Sequence, residues 1–135
     1  MFYALVVARA LAWLALFYLF LKRTDMAFKR TLSPTFPAKV TVNVPAANGG
    51  FDKNTYTAIF KRVNADEVQA LRDSGLTNEE LVRKVLVDWE MKDEDTGEDV
   101  PFNKAELEAA LQILPFPLAT ALAFFESVNG ARSKN

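Results

Sequence analysis

The densest group of residues able to do chemistry is acidic: Asp88, Glu90, Asp93, Glu94, Asp95, Glu98 and Asp99 fall within one short stretch. Clustered carboxylates suit a hard cation such as calcium, which takes oxygen ligands, or paired acid-base work. The spacing argues against the first. With Asp93 as first ligand and Asp95 as third, Gly97 occupies the fifth position, where an oxygen side chain is needed, and Glu98 the sixth, where glycine belongs. The second lacks an apolar pocket nearby that would separate two carboxylate pKa values. A solvated turn is therefore expected, with no catalytic residue, no metal site and no cofactor.

Two absences narrow the chemistry further. The 135-residue chain has no cysteine and no histidine, which removes thiol nucleophiles, disulfides, thiolate metal sites and imidazole-based catalysis. A net charge of -1 and isolated basic pairs, Lys29-Arg30 and Lys61-Arg62, without interleaved aromatics, do not match a nucleic-acid backbone. Half of the residues are apolar and 24% are charged, enough for one domain with a modest core. A non-enzymatic protein follows as the expectation.

The elements that must position the acidic stretch begin with Lys39-Val-Thr-Val-Asn-Val44, which alternates apolar and polar residues at period two and predicts a half-buried strand. A turn-rich loop over Ala46–Asn54 and a second strand over Tyr56–Val63 complete a predicted antiparallel hairpin. Three helix starts are marked by Asn64 with Glu67, Thr77 with Glu80, and Asn103 with Glu106, each a cap residue followed three positions later by glutamate. The second helix is expected to carry Leu81, Val82, Val85, Leu86 and Trp89 as one inward stripe, so that Trp89 ends it as a core anchor. Leu107, Leu111 and Leu114 do the same for the third. Pro115 and Pro117 are expected to stop it, and a fourth helix over Leu118–Val128 would place Leu122 and Phe125 on one face, with Phe124 and Val128 beside them. Phe116, Phe124 and Phe125 are the candidate partner-binding residues, because this last helix is apolar over more than one face; burial in the core is the competing assignment. The predicted fold is α+β and mainly α, an N-terminal β-hairpin followed by about four short helices, with an extra hydrophobic N-terminal helix.

That extra helix is Met1–Leu21, apolar except for Arg9. At about 1.5 Å per residue it is long enough to span a bilayer, and the basic residues after it, Lys22-Arg23, would keep its C-terminal side in the cytoplasm. Translation beginning at Met26, which opens an ordinary soluble N-terminus, is the alternative. The organisation expected is thus residues 1–25 as a hydrophobic segment and 26–135 as one small domain.

Taken in order, Trp89, Asp93-Glu94, Gly97, Pro101-Phe102-Asn103, Leu107, Leu111 and Phe124-Phe125 resemble the tail assembly chaperones of long-tailed bacteriophages. The similarity is loose over residues 26–135 and closer over Val85–Val128. It implies a helper in the host bacterial cytoplasm that binds the tape measure protein, with tail tube subunits as a second candidate partner. A longer product made by frameshifting is a further trait of that family. Such chaperones have no counterpart to a span at Met1–Leu21, which favours a start at Met26. The alternative is a single-span inner-membrane protein with a small cytoplasmic interaction domain. Pairing of the strands with another copy of the chain is left open by both.

Overall fold

The computed structural model describes residues 27–130. The chain divides into two units, Met1–Leu32 and Ser33–Asn135. The expected hydrophobic helix over Met1–Leu21 lies outside the described residues, as does the tail Ser133–Asn135; residues 27–32 are exposed and form no helix or strand.

The second unit contains β1 (Thr35–Pro45), β2 (Phe51–Lys61), α1 (Ala65–Asp73), α2 (Asn78–Val85), β3 (Leu86–Glu90), α3 (Lys104–Leu111) and α4 (Pro115–Val128). The strands form an antiparallel sheet in the order β1-β2-β3. This corrects the expected two-stranded hairpin followed by four helices: the fold is α+β with three strands, and the third lies between the second and third helices. The helix expected to run to Trp89 ends at Val85, and the chain continues directly into β3.

A bulge is the physical reason. Phe60 pairs with Leu86 and Ile59 with Asp88, so Val87 is an extra residue on β3. It resets the alternation and lets Leu86 and Trp89, three apart, both face inward. Spacing of three is what a helix would show, which is why the apolar stripe looked continuous through Trp89.

The hairpin is also longer and tighter than expected. β2 begins at Phe51 rather than Tyr56, and the turn closes where the Ala46 N–H donates to the Gly50 carbonyl at 2.8 Å. Gly49 supplies the positive φ of +88° that this turn requires. Val40, Val42, Tyr56, Ala58 and Phe60 all point to the helical side and are buried. The opposite face carries Lys39, Thr41, Thr55 and Thr57 and is open to solvent, fully or in part.

All three predicted caps form. Asn64 Oδ1 accepts from the Glu67 N–H at 2.9 Å, Thr77 Oγ1 from Glu80 at 3.3 Å, and Asn103 Oδ1 from Glu106 at 2.8 Å. The fourth helix starts earlier than expected, since Pro115 and Pro117 open it rather than merely ending the third. First-turn N–H groups have no intrahelical acceptor, so proline costs nothing there. α4 packs across β1 and beside α2, and α3 is tied to α2 by the Arg83 guanidinium, which donates to both Glu108 carboxylate oxygens at 2.8 and 2.9 Å.

Candidate interaction surface

Trp89 fastens the acidic turn to the sheet. Its indole Nε1 donates to the Val100 carbonyl at 2.9 Å, and its ring meets Phe102 edge-on at 4.9 Å. Between these anchors the chain folds back on itself, with the Val100 N–H on the Met91 carbonyl at 2.8 Å and the Asp93 N–H on the Glu98 carbonyl at 2.8 Å. Gly97 turns the chain at φ +70°. The Asp93 carboxylate accepts from the Asp95 N–H at 2.8 Å and the Thr96 N–H at 3.4 Å, so it serves its own turn. Among the described residues no group of three or more acidic residues lies close enough together to hold a metal ion.

Beneath this turn, an open groove of about 580 Å³ runs between the hairpin end of the sheet and α3. Val42, Val44, Tyr56, Met91, Ala110 and Phe116 line its floor and walls, while Lys53, Lys92, Asp93, Glu94 and Glu106 rim it with mixed charge. Tyr56 is the one ionisable side chain deep in it. Its hydroxyl is 2.6 Å from Thr120 Oγ1 and its ring stacks on Phe116 at 5.3 Å. Burial pushes the phenol well above its usual pKa, against the smaller opposing effect of the Thr120 hydrogen bond. A neutral phenol already paired inside the core is poorly placed for proton transfer. The groove offers apolar contact.

Phe116 and Phe124, two of the three candidate partner-binding residues, are 4% and 0% exposed. They fill the chain's own core: Phe124 packs edge-on against Phe60 at 5.3 Å, and Phe116 against Tyr56. Phe125 is half-buried, with the Arg72 guanidinium 5.4 Å over its ring and Arg72 Nη2 donating to Asn129 Oδ1 at 3.2 Å. The large apolar side chains that α4 and its N-cap residue expose are leucines. Leu114, Leu118 and Leu122 are 90%, 52% and 53% exposed, and half-exposed Ile113 continues the row toward the mouth of the groove.

One expectation is thereby reversed, since Leu114 is expected inward with Leu107 and Leu111; Leu122, expected on one face with Phe125, is exposed where Phe125 is half-buried. The signal that could have found the ridge is its spacing of four, which puts the three leucines on one helical face. That face and the phenylalanine face are both apolar, and the sequence does not rank them. Among the described residues no single helix is long and apolar enough to cross a membrane. No protein-family model, curated protein or solved structure matches the chain.

Proposed function

We propose that the chain is a non-enzymatic assembly chaperone of the long-tailed bacteriophage kind, which covers an apolar face of the helical tape measure protein in the host cytoplasm. Tail tube subunits are the second candidate partner. The observation that carries this reading is the exposed row of Leu114, at the N-cap of α4, with Leu118 and Leu122 on the helix, continued by Ile113 to the apolar groove. Exposed leucines in a row are unfavourable in water and suit reversible contact with an apolar helical stripe. Mixed charge around the groove discourages association with partners of the wrong polarity. The ordered resemblance over Val85–Val128 is the ground for naming the tape measure protein as the partner to be tested.

Co-expression with the tape measure protein of the same genome tests it. The wild-type chain is expected to raise that protein's soluble fraction, and a Leu118→Ser, Leu122→Ser variant to lose the effect while keeping its own melting temperature. A tape measure protein equally soluble with and without the chain would remove the basis of the proposal.

The apolar sequence of Met1–Leu21 favours a second reading, a single-span inner-membrane protein whose small cytoplasmic domain carries the same surface. Full-length protein retained in the membrane pellet after a carbonate wash is its expected result, and complete release would exclude it.

A further inference from the structure

β1 is an edge strand, and its register with β2 determines which backbone groups it turns to solvent. The Arg62 N–H donates to the Pro34 carbonyl at 2.9 Å and the Ala46 N–H to the Gly50 carbonyl at 2.8 Å. These bonds bracket a ladder that runs without a shift from Thr35 opposite Lys61 to Pro45 opposite Phe51. Hydrogen-bonded pairs alternate in an antiparallel ladder, so the even-numbered residues of β1 bond to β2 and the odd-numbered ones point their N–H and C=O outward.

Both prolines of the strand, Pro37 and Pro45, hold odd positions, where a missing N–H leaves the β1–β2 ladder intact. The outward carbonyl of Thr35 accepts from Ser33 Oγ at 2.6 Å. Between the prolines, the outward N–H and C=O groups of Lys39, Thr41 and Asn43 have no hydrogen-bond partner among the described residues. This open stretch is symmetric about Thr41, with a proline four residues to either side.

We propose that a second copy of this chain pairs with this edge, antiparallel and two-fold symmetric about Thr41, joining two three-stranded sheets into one. In that register Thr41 faces Thr41 of the copy, Lys39 faces Asn43, and Pro37 faces Pro45. About six N–H···O bonds form over the three central pairs. No two lysines are opposed, and the contact is isologous as two-fold symmetry requires. In the centred register the prolines face one another outside three fully bonded pairs; moving the copy by two residues either way brings a proline opposite Asn43 or Lys39 and leaves two such pairs, which favours the centred register. Prolines commonly blunt edge strands, and here they delimit the open stretch instead of interrupting it. On the open face the centred pair would extend the Thr41–Thr55 contact, 3.5 Å between hydroxyls, into a row of four threonines.

The test uses co-expressed tagged and untagged full-length chains and reads how much untagged chain is recovered with the tag. Wild type is expected to recover its copy. Thr41→Lys in both chains opposes two like charges at the centre and is expected to abolish recovery; pairing tagged Thr41→Lys with untagged Thr41→Asp is expected to restore it, which also shows that both variants fold. Absence of wild-type recovery, recovery unaffected by Thr41→Lys in both chains, or failure of the opposite charges to restore it would each overturn the proposal.

Discussion

The Tyr56 hydroxyl and the Thr120 hydroxyl meet at 2.6 Å in the core, joining β2 to α4 across 64 residues of sequence. Thr120 is the buried polar residue among those described, and Tyr56 is its partner. Tyr56→Phe leaves the Thr120 hydroxyl unpaired and should cost about 1–3 kcal/mol. Thr120→Val in the same chain removes the orphan, so the double variant should be less destabilised than the two single variants together. A double-mutant cycle by urea denaturation checks this.

The same phenol makes stability depend on alkaline pH. Its folded pKa lies above that of the unfolded chain, so between the two the folded state holds a proton that the unfolded state has released. Stability from this group is whole below the free phenol's value of about 10 and falls above it by about 1.4 kcal/mol per pH unit until the buried phenol ionises. The difference in stability between wild type and Tyr56→Phe should shrink as pH rises from 9 to 11. A constant difference would contradict the assignment.

In the joint at the acidic turn, the apolar and acidic members separate cleanly. Trp89→Ala removes a buried ring and the Nε1 bond to Val100, and should cost about 3–5 kcal/mol. Asp95→Asn alters an exposed side chain and should stay within about 0.5 kcal/mol of wild type. Thermal melts of the two variants, compared side by side, decide whether this stretch is a structural joint.

Gly97 isolates the backbone contribution to that turn. A Cβ there would meet no atom within 4 Å, yet φ is +70°. Gly97→Ala should therefore destabilise by about 1–2 kcal/mol through left-handed strain alone. Urea midpoints with unchanged m-values would show it.

The helix starts were legible because each is a local signal: one cap residue binds one N–H three positions on, and Asn64, Thr77 and Asn103 all do so. The strand over Lys39–Val44 was legible by alternation. β3 was hidden by a non-local event, the bulge at Val87, which gives two inward side chains a helical spacing. The start of β2 was hidden because residues 51–55 are all exposed and hold their places through backbone pairing, to which side-chain pattern is blind. On α4, composition could not rank two apolar faces. Tertiary packing chose Phe116 and Phe124 for the core, because they meet Tyr56 and Phe60, and left the leucines outside.

The proposal that the α4 leucines receive an apolar helical partner is tested most directly by the soluble yield of the tape measure protein co-expressed with wild-type chain, with Leu118→Ser, Leu122→Ser, or with no chain. Soluble partner with wild type alone, together with equal melting temperatures for the two chains, is the predicted result. Equal soluble yield with wild type and the double serine variant would contradict it.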